Sequence, residues 1–199
     1  MNVVRWSCIV IASLLSGCTS TSPRFYTLLP ESGRGPSGAV AAGPRVEVAP
    51  VRVPAQVDRL ELVTRRPDGS IAIADNDQWI APVADELQNA LSVELLHRLA
   101  AAEPREVTEA DSVSVRLNVE RFESLPNAYA LIEASWELEL KETGGDRRVI
   151  CRTRAYEPVT GGYPEMVRGY QRAVALIADQ IATAARGSVG RVAAGCPAS

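Results

Sequence analysis

Cys18 closes the run Leu15-Ser16-Gly17-Cys18, and its neighbours specify a reaction more clearly than those of any other side chain in the sequence. Arg5 precedes a short apolar stretch over residues 6–15, and small residues follow. That is the layout of a secretory signal, too short to span a bilayer as a helix. The four residues resemble a bacterial lipobox, in which the chain is cut between Gly17 and Cys18 and the new terminal cysteine is acylated. A single acyl chain binds a bilayer only marginally, so several on Cys18 would make a permanent anchor. Position 19 is Thr. The signal that retains enterobacterial lipoproteins in the inner membrane is an Asp there, so the expected location is the periplasmic face of the outer membrane.

Other chemistry is sparse. Cys8 would leave with the signal, and Cys18 would carry lipid. Cys151 and Cys196 then remain as a candidate disulfide pair in an oxidising compartment; the alternative is one buried thiol and one thiol in a frayed tail. The four cysteines lack CxxC spacing and the single histidine is His97, which nearly excludes histidine-based metal binding. His97 falls near the end of a helical pattern, where partial positive charge is welcome, so its expected role is structural. No GxSxG elbow, HExxH helix, Walker loop or GxGxxG fingerprint is present. Paired carboxylates for glycoside cleavage stay open, since any two of 24 acids could meet in space. Those that can be placed lie on outward faces. The expectation is a protein that is not an enzyme, with no metal and no cofactor beyond a covalent lipid.

The 199 residues hold 21 Lys+Arg and 24 Asp+Glu, with 46% apolar and 5% aromatic side chains. One cored domain fits this composition, whereas a basic, aromatic nucleic-acid platform does not.

The elements that would position these residues follow from periodicity. We expect a signal peptide at 1–17, a lipidated tether with a short first strand and a Gly/Pro loop at 18–44, a domain at 45–186 and a tail at 187–199. Counting the Gly/Pro segment, the leash is twenty residues or more. Residues 45–53 alternate until Pro50 and Pro54, which belong at an edge or bulge. Residues 60–65 and 70–74 flank Arg66-Pro67-Asp68-Gly69 as a hairpin. From Trp79 the period becomes helical, with Ile80, Val83, Ala84, Leu87, Leu91, Leu95 and Leu99 on one stripe. Asp75, Asn76 and Asp77 offer caps, and Pro104 ends the helix. Alternating rows at 113–119, 132–140 and 149–155 make a three-stranded antiparallel meander with turns at Pro126-Asn127 and Gly144-Gly145-Asp146. A last helix runs from about Pro164 to Arg186, with Met166, Val167, Tyr170, Val174, Ile177, Ile181 and Ala184 on one side. The expected class is α+β: a mixed, mainly antiparallel sheet with two amphipathic helices on one face, in the order ββ-β-α-βββ-α.

Arg148, Arg152 and Arg154 make an outward row. An anion or lipid-headgroup site is one reading; pairing with Glu133, Glu137 and Glu139 on the adjacent strand is the stronger one.

Taken in order, the lipobox, Arg24-Phe25-Tyr26-Thr27-Leu28, Val48-Ala49-Pro50-Val51-Arg52-Val53-Pro54, Val57-Asp58-Arg59 with Val63-Thr64-Arg65, and Trp79 opening a helix resemble the PqiC-like (YmbA-like) family of ABC-type transport auxiliary lipoproteins. The resemblance covers nearly all of the chain from Cys18 to about Arg186, with departures at Gln56, Leu60, Glu61 and in the tail. It implies a non-catalytic outer-membrane lipoprotein that forms a homo-oligomer and works with an MCE-domain (PqiB-like) periplasmic protein in lipid transport. It makes Asp58, Arg59, Arg65 and Trp79 candidate partner contacts. The opposing reading of those four is structural: an Asp-Arg pair fixing the hairpin and a Trp closing the core. Two rival functions remain, a lipoprotein activator or scaffold of a peptidoglycan-building enzyme and a cell-wall hydrolase.

Overall fold

The computed structural model describes residues 22–30, 44–100, 112–141, 145–186 and 196. Among these residues, seven strands and two helices follow in the order β1 (Arg24–Tyr26), β2 (Arg45–Val48), β3 (Glu61–Arg65), β4 (Ile71–Trp79), α1 (Val83–Ala100), β5 (Ser112–Leu125), β6 (Tyr129–Lys141), β7 (Arg147–Pro158) and α2 (Tyr163–Arg186). The α+β class stands, but the strands form two sheets, ordered β1-β4-β3 and β2-β5-β6-β7, and four described strands precede α1. In each sheet the N-terminal strand pairs in parallel, β1 with β4 and β2 with β5, and the remaining pairs are antiparallel.

Alternation builds the larger sheet. Val113, Val115, Leu117 and Val119 of β5, Ala134, Trp136, Leu138 and Leu140 of β6, and Val149, Cys151, Thr153 and Ala155 of β7 are all buried on one face. That face carries the helices: α2 lies across β6 and β7, and α1 packs beside β2 and along α2. The Trp136 indole N–H donates to the Thr153 hydroxyl at 2.9 Å, and that hydroxyl donates to Gln180 of α2, so the buried polar groups at this contact are satisfied. A close approach is needed here, because a Cβ at Gly169 would sit 2.8 Å from Val159 Cγ2 and 3.1 Å from Ala130 Cβ.

A bulge in β5 changes the pattern. Val119 pairs with Ala134 and Arg121 with Glu133, so Glu120 is an extra residue and the alternation flips beyond it. Phe122 therefore turns inward, stacks on Tyr170 with ring centroids 4.0 Å apart, and meets the edge of Trp79 at 6.1 Å. Trp79 also meets Tyr170 edge-on, so three aromatic rings join the small sheet, the large sheet and α2.

Three boundaries differ from the sequence expectation. Residues 75–77 lie within β4, where they cannot cap a helix; α1 starts only at Val83. Ile80, expected on the helix stripe, is 67% exposed in the connection before it. The folded unit begins at Arg24, because β1 pairs residue for residue with 77–79 of β4; it is not part of a tether ending at 44. Residues 1–17, Pro104 and Gly144 lie outside the described residues.

Candidate functional site

The RFYTL segment is held by side chains distant in sequence. Asp77, 5% exposed, accepts from the Arg24 guanidinium and from the Tyr26 hydroxyl, all at 2.8 Å. Burial, then the hydrogen bond to Asp77, pushes the Tyr26 phenol above its ordinary value. Glu86, in the first turn of α1 and 3% exposed, accepts from the Thr27 hydroxyl and the Leu28 backbone N–H, both at 2.7 Å. The amide of Gln171 on α2 donates to the carbonyls of Thr27 and Leu29. Two buried carboxylates are thus matched by donors from one short segment, which is how buried charge is tolerated. Only residues 19–23 separate Cys18 from Arg24. Their fully extended span allows about 20 Å between those two α-carbons. Residues 31–43 come after β1 in sequence, so they add nothing to the chain between Cys18 and the first strand.

The β3–β4 hairpin and the bulged part of β5 line a groove of about 290 Å³. Val57 and Val63 line it together with Arg59, Arg65, Arg121 and Glu123. Arg65 donates to Glu123 at 2.6 Å, Tyr129 donates to the same carboxylate, and Arg121 reaches it at 3.0 Å. Burial acts to raise the Glu123 carboxyl, yet the Arg65 and Tyr129 hydrogen bonds and the Arg121 charge outweigh it and leave it lowered. Arg59 pairs with Glu61 at 2.8 Å, and that hydrogen bond lowers the Glu61 carboxyl.

The four candidate contacts therefore separate. Arg59 and Arg65 share the groove. Asp58 turns away from it: its carboxylate accepts from the backbone N–H of Ala84 at 3.2 Å and caps α1 from a distant loop. Trp79 is 2% exposed inside the aromatic cluster, so it is not a surface contact; an indole that ends a strand between two layers is more useful there as core. Glu86 and Gln171 were missed by sequence reasoning, and Asp77 was read as a helix cap. Glu86 had one signal, an acid three residues beyond Val83 and four before Ala90 on a stripe that is apolar but for it and Glu94.

The outer face of the larger sheet is an ion-pair lattice. Arg148 meets Glu137 at 2.6 Å, Arg154 meets Glu133 at 2.9 Å, Arg152 meets Glu120 at 3.3 Å, and Arg116 bridges Glu137 and Glu139. Pairing accounts for the arginine row. Cys151 on β7 and Cys196 form a disulfide, with α-carbons 5.5 Å apart. Gly17 and Cys18 lie outside the described residues. His97 is half-buried on α1. Among the described residues no group of three His, Cys, Asp or Glu side chains could hold a metal, and no helix is long and apolar enough to cross a membrane.

The model of the family described as the ABC-type transport auxiliary lipoprotein component matches residues 26–182, and the chain belongs to that family. No curated protein matches it. Among solved structures it is similar to a crystal structure described only as an uncharacterized protein, at 22% identity and a TM-score of 0.57, covering 81% of this chain and 97% of the other. It is also similar to a protein from Xanthomonas campestris, at 12% identity and a TM-score of 0.50, covering 83% and 94%. These two likenesses concern the fold.

Proposed function

We propose that this lipoprotein is the non-catalytic, outer-membrane-anchored docking component of an intermembrane lipid transport system. It associates with itself, as a ring, and receives the outer end of an MCE-domain (PqiB-like) periplasmic protein, so that lipid passes at the membrane surface. Membership of a transport-auxiliary lipoprotein family supports the class. The observation that carries the docking role is the lock on β1. Asp77, Glu86 and Gln171 tie the first residues after the anchor into both helices and β4, so the domain is a rigid body held close to Cys18. A body so held can receive a partner at a fixed height, with the groove of Arg59 and Arg65 as the contact. Their guanidinium groups suit carboxylates on the incoming protein.

Affinity capture of the full-length lipoprotein from detergent-solubilised envelopes, after mild crosslinking, tests this reading. Recovery of an MCE-domain protein in stoichiometric yield is the expected result, with loss of that yield in Arg59→Glu. Recovery of a peptidoglycan synthase in its place, or cell-wall hydrolysis by the pure protein, would overturn it.

A further inference from the structure

The outer face of the β1-β4-β3 sheet carries three large, exposed apolar side chains among polar ones. Phe25 and Glu61 both pair with Gln78, so these three side chains share a face. Ile73 pairs with Val63 and Ile71 with Arg65 on that face, because Leu62 and Thr64 of β3 are buried on the other. Phe25, Ile71 and Ile73 are 58%, 53% and 49% exposed. An antiparallel sheet facing water ordinarily places polar side chains at such positions, and large apolar residues grouped there mark a surface that something covers.

The chain path says what covers it. Ser22, Arg66 and Ile73 line one open hollow of about 410 Å³, so the segment leading back to Cys18 leaves β1 beside the β3–β4 hairpin. Ser22 is four residues from Cys18, which limits their separation to about 14 Å. Whatever Cys18 is embedded in is therefore within reach of this hairpin.

We propose that the hairpin and the adjoining edge of β1 lie in the headgroup layer of the bilayer that holds Cys18. Ile71, Ile73 and Phe25 enter the apolar side of the interface, and Arg66 beside them meets lipid phosphate oxygens. Contacts of this size would be weak for a free protein, but the anchor makes them intramolecular and raises their effective concentration. The groove of Arg59 and Arg65, whose rim includes Ile71 and Ile73, then opens at the membrane surface. This deepens the docking reading above and rests on its acylated Cys18.

The test uses the full-length protein, its acylation verified by mass spectrometry, in vesicles of phosphatidylethanolamine and phosphatidylglycerol carrying brominated acyl chains. Trp79 and Trp136 are buried, at 2% and 1% exposure, and give a constant background. Ile73→Trp places a reporter on the hairpin; Leu96→Trp, at a position 48% exposed on α1, places one on the helical side. The expected result is at least twofold stronger bromolipid quenching at position 73 than at 96, with a shift of emission to shorter wavelength. Equal quenching of the two in vesicle-bound protein overturns the inference while leaving the anchor intact. A blue shift that needs no vesicles and grows with protein concentration also overturns it, in favour of a second copy on this face. Protein that carries no acyl group and does not float with the vesicles overturns the anchor reading itself.

Discussion

Arg24 and Asp77 form a two-pronged ion pair, Nε to Oδ1 and Nη2 to Oδ2, each at 2.8 Å. The guanidinium is largely in water and the carboxylate is not, at 63% and 7% side-chain exposure, so Asp77 depends on the pair more than Arg24 does. Asp77→Ala removes the acceptor for both Arg24 and Tyr26. We expect residues 22–30 to lose amide-exchange protection and become open to cleavage after Arg24, while the helices keep theirs. Unchanged exchange in that segment would mean that strand pairing alone holds β1.

Glu86→Ala should cost more. It orphans the buried Leu28 N–H and the Thr27 hydroxyl, both bonded at 2.7 Å to one carboxylate. Hydrogen bonds to a charged group contribute about 1.5–3 kcal/mol each, so a loss of roughly 3 kcal/mol is expected in urea unfolding. Thr27 and Leu28 share one oxygen, Oε2, so Glu86→Gln can keep both bonds but on a neutral acceptor, and should lose about half of that.

Much of the fold could be read from the chain before its structure, and the failures share one cause. The strand rows at 113–119, 132–140 and 149–155 and the stripe of α2 are visible because alternation and helical period are local. What pairs across long sequence distance is not. Asp75, Asn76 and Asp77 look like caps because they precede a helical pattern, yet Asp77 is claimed by Arg24 and Tyr26, more than fifty residues earlier. The true cap, Asp58, is 26 residues before the N–H it satisfies. One extra residue at Glu120 reverses every side chain after it, which hid Phe122 from the core. In the site, Arg59 and Arg65 were recognisable by type and order, but only folding distinguishes them from Asp58 and Trp79.

Acid should loosen the ion pairs of the groove and of the outer sheet face. Glu123 and Glu137 both have carboxyl groups lowered from an ordinary value of 4.5, Glu137 chiefly by the hydrogen bond from Arg148. A lowered folded-state value means that the unfolded chain binds protons first as pH falls. Their contribution is fully present above pH ~5 and is lost as pH drops through the depressed values. Carbon-detected NMR titration should show Glu123 ionised below pH 4.5 in the parent, and returning toward its ordinary value in Arg65→Gln. A Glu123 midpoint unmoved by that substitution would show that Arg65 does not hold it.

The Cys151–Cys196 bond closes a loop with a sequence separation of 45 and ties Cys196 to the edge strand β7. By the chain-entropy estimate such a loop contributes about 4 kcal/mol, less any strain in the folded state. Cys196→Ser should lower the unfolding free energy by up to that amount, and reductant should have no further effect on it. Equal stability of the parent with and without reductant would contradict the bond's role.

Gly169 of α2 packs against Ala130 of β6 and Val159. In Gly169→Ala the new Cβ would lie 2.8 Å from Val159 Cγ2, inside any contact that real side chains keep, with Ala130 Cβ on its other side. The helix must lift, and overpacking of this kind costs about 1–3 kcal/mol despite the better helix propensity of Ala. A stabilised variant would mean that the contact relaxes by moving Val159, which precedes α2.

The four residues that the sequence singles out should divide into two kinds under mutation. Trp79→Ala empties the space between Phe122, Tyr170 and β4, and loss of a buried aromatic costs about 4 kcal/mol. Asp58→Ala removes a helix cap from Ala84 and should cost about 1 kcal/mol. Arg59→Glu and Arg65→Glu alter exposed guanidinium groups at the groove, and the first should leave Tm nearly unchanged, since Arg59 pairs only at the surface with Glu61. Partner capture should follow the opposite order. Arg59→Glu should lose the partner while remaining folded, and Asp58→Ala should keep it at temperatures where both are native. Capture that tracks Tm across all four variants would make the groove an incidental feature of a hairpin, and would move the docking surface elsewhere on the domain.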